Sequence, residues 1–181
     1  MFKRFIGRFL YNMFAKHMPH SRSKIRIGQK AFRAFCGRLI LKKCGKHVNI
    51  EKNASFTTNC ELGDYSGIGI NAKISNVKIG NHVMMGPNCI ILSTNHRHDR
   101  VDITMDMQGN EPERQVIIQD DVWIGINVII LPGVTIGAGS IIGAGTVVTK
   151  DVPPYSVFCG NPGKVVKSRK NSITERSVSH P

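Results

Sequence analysis

The first 46 residues contain no Asp or Glu, the cysteines form no Cys-x-x-Cys pair, and no run of 18 apolar residues occurs anywhere. Each absence excludes something. Without a long apolar run, no helix spans a membrane. The five cysteines (Cys36, Cys44, Cys60, Cys89, Cys159) are an odd number with no framework or zinc-knuckle spacing, which fits free thiols in a reducing compartment. The N-terminus has positive charge but neither an uninterrupted apolar stretch nor a small-residue cleavage site, so it does not read as a secretory signal. A cytoplasmic protein is expected.

The missing acids also locate the charge. Of 25 Lys and Arg, 13 fall in residues 1–46, and the remaining 12 are balanced by all 12 acids. The formal charge of +13 therefore belongs to the N-terminal segment, and the rest of the chain is neutral. A nucleic-acid partner is not expected on that pattern. Any anionic partner would belong to the segment alone.

What the chain has is a repeat. Ile118, Ile124, Ile130, Ile136, Ile142 and Val148 recur every six residues, and Val122, Val128, Val134, Ser140, Thr146 and Val152 follow four places after each. The same beat runs through Ile50, Phe56, Leu62, Ile68 and Ile74, slips by one residue, and resumes at Ile79, Met85 and Ile91. A period of six is neither helical nor simply alternating. It fits one short strand plus one turn, with three such units closing a coil whose aliphatic residues stack inward. Cys60 and Cys89 take core places in it. The fourteen hexads predict four to five coils of an all-β parallel solenoid over residues 47–167.

The beat is interrupted between Ile91 and Ile118, where the polar stretch 95–115 opens with His96, Arg97, His98 and Arg100. Insertions in solenoids emerge as loops on one face, often the binding face. Upstream, residues 2–14 place Phe2, Phe5, Ile6, Phe9, Leu10, Met13 and Phe14 at helical spacing beside Lys3, Arg4 and Arg8. Residues 29–43 repeat the theme, with Phe32, Phe35, Cys36, Leu39 and Ile40 set against Lys30, Arg33, Arg38, Lys42 and Lys43. Two readings of residues 1–18 compete. One is an apolar cap on the open end of the solenoid; the other is peripheral contact with an anionic membrane. For residues 29–43 the cap is favoured. Residues 1–46 thus form a basic helical segment, and the Ser-rich residues 168–181 read as a flexible tail.

From Val77 to Lys167 the chain resembles the hexapeptide-repeat O-acetyltransferases of maltose, galactoside and polysaccharide sugars. The segments that carry the likeness are IGNHVMMGPNCIILSTNH, DDVWIGINVIILPGVTIGAGSIIGAGTVVTKDVPPYSV and GNPGKVV. The resemblance implies a left-handed parallel β-helix, an acetyl-CoA co-substrate, no metal, and a homotrimer with active sites between subunits. It aligns His96 with the family's general base. A sugar hydroxyl is hardly ionised at neutral pH, so a base must take its proton as it attacks the thioester, and imidazole suits that step.

His98 is the local rival, and Asp99 is placed to orient either ring. Asn88 matches a position that presents an amide to the acceptor, and it equally suits a coil corner. Trp123 is either a wall of the site or structural. Gly125, Ile126, Gly143 and Ala144 align with the CoA groove, with Thr149 and Lys150 further out and Lys164 and Lys167 toward the phosphates. His82 reads as a corner or subunit-contact residue. Residues 1–46 do not resemble the acceptor-binding N-terminal extension of the maltose and galactoside enzymes.

Three other functions stay open at this point. The acceptor could be an amine on a nucleotide-linked sugar, or serine. A carbonic-anhydrase-type metal site would need three histidines, for which His82, His96 and His98 are candidates. A scaffold would need neither His96 nor the basic exit.

Overall fold

Each hexad commits two residues to a strand and the rest to a corner, and the corners decide how the strands stack. A computed structural model describes residues 2–170. Its strands fall on three sides. The first carries Lys43–Cys44, Glu61–Leu62, Val77–Ile79, Val116–Ile118 and Thr135–Ile136; the third carries Ser55–Phe56, Lys73–Ile74, Ile90–Ile91, Ile129–Ile130 and Val147–Val148. The second side runs from Asn49–Ile50 and Gly67–Ile68 through Met84–Met85, Trp123–Ile124 and Ile141–Ile142 to Ser156–Gly160. The Gly67 N–H bonds the Val83 carbonyl at 2.9 Å and continues the ladder across that side. All stacking between coils is parallel.

The inward aliphatic of each hexad lies on its counterpart one coil away. Ile79, Ile118 and Ile136 stack on the first side, and Ile74, Ile91, Ile130 and Val148 stack on the third. All are buried, as are Cys60 and Cys89, and the five cysteines are unpaired thiols.

The solenoid has about six coils rather than four to five. The additional rungs lack the hexad signature. Lys43–Cys44 opens the first side ahead of the first aliphatic hexad. Ser156–Gly160 adds a last rung whose Phe158 fills the axis, and Gly163–Ser168 folds back on it antiparallel.

Two corners show why these residues sit there. Asn53, Asn71, Asn88 and Asn127 all have φ between 57° and 59° at the corner joining the second side to the third. Their amides form a ladder with three bonds of 3.0 Å. Asparagine is among the few residues with a Cβ that accept a left-handed backbone readily, and its side chain ties one coil to the next. At the corner joining the first side to the second, His47, Tyr65 and His82 have positive φ and stack ring on ring, at 4.8 and 5.0 Å. His82 is thus a corner residue.

Helix α1 (Phe2–Met13) and helix α2 (Gln29–Ile40) lie against each other at the N-terminal end of the solenoid. The second helix stops at Ile40, earlier than the pattern over 29–43 suggested, because Leu41 turns extended and Lys42 and Lys43 enter the first coil. Cys36, Gly37 and Ile40 are buried in its docked face, whereas Phe35 is exposed.

Arg33, expected on the polar face, is fully buried. Its Nε donates to the Ile50 carbonyl, Nη1 donates to the Pro19 carbonyl at 2.9 Å, and Nη2 donates to Ser21 Oγ at 3.1 Å and lies 3.5 Å from Glu51. One guanidinium thereby joins α2, the loop before it and the first coil. Burial pushes its pKa down, and the neighbouring Glu51 and Tyr11 pull against that shift. At the far end, Arg169 is held by its N–H on the Tyr155 carbonyl at 2.7 Å and by Asp121 at 3.6 Å. The rest of the tail expected over 168–181 lies outside the described residues.

Candidate active site

Residues 92–115 leave the solenoid at the corner between the third and first sides and return to it as an ordered arm. The arm closes on itself at its base. Thr94 Oγ1 donates to the Glu111 carbonyl and the Glu111 N–H to the Asn95 carbonyl, both at 2.8 Å; the Arg97 N–H reaches the Gly109 carbonyl at 3.0 Å. His96 pairs antiparallel with Asn110 on the first limb. Further out, the Gln108 amide spans the turn to the Arg100 carbonyl at 2.8 Å, and Arg100 pairs with Asp102.

The backbone of His96 is therefore fixed while its side chain faces outward. Within the chain, no described side chain bonds to its ring. The ring of His98 comes within 3.4 Å of the His96 carbonyl and is likewise exposed. Asp99 is exposed and no described contact joins it to either ring.

The residues aligned with a CoA groove separate into two groups. Gly125, Ile126, Gly143 and Ala144 line the corner between the second and third sides, next to the asparagine ladder. A Cβ on Gly125 would stand 2.7 Å from the Ala144 nitrogen, so the coils meet there backbone to backbone. Lys164 joins this group, because it pairs with Cys159, whose sulfur packs against Gly143. Lys167 is exposed on the same strand. Thr149 and Lys150 belong to the corner from which the arm emerges, further along the axis. Asn88 is a rung of the asparagine ladder, giving one bond to Asn127 and receiving one from Asn71.

Trp123 lies on the second side, half exposed, between Met84 and Ile141. It borders a hollow of about 770 Å³ running down that side past Met84, Gly67 and Tyr65 to His20, Arg22, Lys30 and His47. A second hollow of about 730 Å³ shares Lys30 and His47 and adds Arg26, Arg38 and Lys46. Sequence reasoning did not find this basic end of the groove. Residues 20–28 lie beside the solenoid because Arg33 and the bonds of Ser21 to Asn49 and Glu51 hold the loop there, and no local pattern announces that fold.

The arm and the groove stand on opposite parts of a three-sided body: His96 is at one corner, and Trp123 is on the side facing away from it. His82 occupies a third location, the corner between the first and second sides. Among the described residues no three His, Cys, Asp or Glu side chains converge as a metal set.

The family profile described as bacterial transferase hexapeptide (six repeats) matches residues 115–150. A galactoside O-acetyltransferase of Lactococcus lactis is 37% identical over 130 residues, which is 71% of this chain and 59% of that protein. The solved maltose O-acetyltransferase of Clostridium difficile is 32% identical with a TM-score of 0.73, over 92% of this chain and 86% of that one. The chain belongs to the hexapeptide-repeat acetyltransferase family.

A galactoside acetyltransferase solved in complex with coenzyme A superposes with a TM-score of 0.78 at 28% identity, covering 95% of this chain and 83% of that one. The chain spans less than two thirds of the length of the curated relatives it matches, 56% and 59% for two of them. The stacked coils of this chain extend on both sides of the residues that the profile matches, from the strand at Lys43 to the one ending at Ser168.

Proposed function

We propose that the chain transfers the acetyl group of acetyl-CoA to a hydroxyl of a sugar, as part of a polysaccharide or its precursor, with His96 as general base. The observation carrying this reading is the ordered arm, which presents an unengaged imidazole to solvent from a solenoid of this family. His96 takes the hydroxyl proton as the oxygen attacks the thioester carbonyl; the acetyl C–S bond breaks, the ester C–O bond forms, and the CoA thiolate takes up a proton. Gly125, Ile126, Gly143 and Ala144 offer close backbone approach for the pantetheine amides, while Thr149, Lys150, Lys164 and Lys167 supply polar and cationic contacts toward the phosphates. Met84, Trp123 and the basic end of the groove receive the acceptor, with Asn88 and His98 at its margins. No metal is required, and the reaction is placed on the cytoplasmic side.

The separation of His96 from Trp123 supports a site shared between copies, in a homotrimer. The arm gives a physical reason for such contact. Val101, Met105 and Met107 stand exposed at its outer end, apolar side chains that no described residue covers. Replacing Val101 and Met105 together by Asp is expected to leave a folded monomer, read by light scattering, with acetyl transfer lowered at least about tenfold because base and groove no longer meet. A trimer that persists in the double variant would remove the arm from the interface. The reaction itself is tested by thiol release from acetyl-CoA across sugars, nucleotide sugars and polysaccharide repeat units. Acceptor-dependent release is expected with at least one sugar hydroxyl, and release confined to amino acceptors would overturn the O-acetyl reading.

A further inference from the structure

Helix α1 docks by a narrow strip and leaves its apolar face outward. Gly7 and Tyr11 are its buried residues. At Gly7 a Cβ would lie 2.6 Å from Leu39 Cβ, and the Tyr11 hydroxyl donates to the Ala54 carbonyl at 2.8 Å. Ala15, just beyond, is fully buried. The cap is real, but it uses the small residues, the tyrosine and the partly buried Leu10.

Phe2, Phe5, Ile6, Phe9 and Met13, at i, i+3, i+4, i+7 and i+11, form one stripe. Every member is exposed, Phe2 by 76%, Phe5 by 69% and Met13 by 58%. On a helical wheel this stripe lies opposite Gly7 and Tyr11. Arg8 flanks the stripe on one side and Lys3 on the other, while Arg4 lies beside Tyr11 on the docked side.

An apolar face turned away from its own protein needs an occupant, and the charge says which. The helix contains no acid, and neither does anything else before Glu51, whereas residues 1–46 carry 13 Lys and Arg. An acidic headgroup layer complements that segment, and an acyl boundary complements the phenylalanine stripe. Helix α1 is 12 residues long, and among the described residues no helix is long and apolar enough to cross a membrane, so the geometry is that of a helix lying in the interface.

We infer that α1 docks the solenoid on an anionic lipid bilayer, with Phe2, Phe5, Phe9 and Met13 inserted at the headgroup boundary and Lys3 and Arg8 among the headgroups. On this inference the two competing readings of the N-terminal helix describe two different faces of it. The inference stands apart from the acceptor assignment, because its test involves no turnover.

The full chain is sedimented with vesicles of phosphatidylcholine alone and with vesicles containing about 30% phosphatidylglycerol. Binding is expected to the anionic vesicles, to be weak on the neutral ones, and to fall severalfold between low and high salt. Phe5→Asp with Phe9→Asp changes two exposed side chains, so the melting temperature should hold while vesicle partitioning drops at least about tenfold. Lys3→Glu with Arg8→Glu should lower binding to anionic vesicles while leaving the residual binding to neutral ones. The inference is overturned if the wild type ignores anionic vesicles. It is equally overturned if the Phe5/Phe9 variant binds them normally, or if that variant changes oligomeric state, which would make the stripe a contact between copies.

Discussion

Mutating His96 to Ala is expected to lower acceptor-dependent acetyl transfer by a factor of about 10² to 10⁴, the usual contribution of a positioned general base. The loss should appear in kcat, because the ring acts on the reacting hydroxyl and contributes little to holding CoA. Equilibrium binding of acetyl-CoA should therefore stay within a few-fold of wild type. The substitution is structurally mild. His96 is held by the backbone pairing of its limb with Asn110, and its side chain is exposed with no described partner. An unchanged melting temperature beside a collapsed rate separates chemistry from folding. His98→Ala serves as the comparison, and because His98 is placed at the margin of the acceptor site and not on the reacting hydroxyl it should cost much less. If the two variants behaved alike, the base would be elsewhere.

The second large effect is on stability. Arg33→Ala is expected to cost about 3–5 kcal/mol, the range for removing one partner of a buried charged pair. The deletion strands Glu51 and empties the bonds to the carbonyls of Ile50 and Pro19 and to Ser21. Chemical denaturation should show the midpoint falling, and the loop over 18–28 should become protease-sensitive before the solenoid does. Arg33→Met, which fills the space without the charge, should recover little while Glu51 remains, and more in combination with Glu51→Gln.

The same cluster fixes a pH dependence. Burial, the largest single influence on Glu51, pushes its pKa up, but the Ser21 N–H, the Asn49 amide, the Ser21 hydroxyl and Arg33 together hold it below its ordinary value of 4.5. A carboxyl depressed in the folded state contributes stability that is fully present above the unfolded pKa and is lost as pH falls through the folded one. Wild type should therefore lose stability on acidification below about pH 4.5. Glu51→Gln should start lower at neutral pH and lose less over the same window.

The solenoid was legible because its signal is local and repeated. A two-residue strand with one inward aliphatic writes itself every six residues, and Asn71, Asn88 and Asn127 mark the same corner coil after coil. The two rungs that escaped carry no aliphatic hexad: Lys43–Cys44 is defined by pairing with Glu61–Leu62, and Phe158 caps the axis from an exit strand. Arg33 was misplaced for a related reason. Helical periodicity set it on a polar face, while its partners Ile50, Glu51 and Pro19 come from elements that only tertiary packing brings together.

The arm was visible as a break in rhythm, and His96 as the residue that opens it, but its antiparallel pairing was not. The groove on the second side was half visible. Trp123 stood out, yet His20 and Arg22 reach that groove through a loop with no periodicity of its own, and Lys30 does so from the first turn of α2. The amphipathic pattern of α1 was plain, but only docking through Gly7 and Tyr11 reveals that the phenylalanine stripe points outward.

The most direct test of the central claim is the product itself. Wild type and His96→Ala are incubated with acetyl-CoA and the acceptor that supports thiol release, and the acceptor is followed by mass spectrometry before and after mild alkali. The account predicts one added acetyl group with wild type, removed by alkali as an ester is, and a yield lower by about 10² or more with the variant. An alkali-stable acetyl group would place it on nitrogen, and equal yields from the two proteins would take the base away from His96.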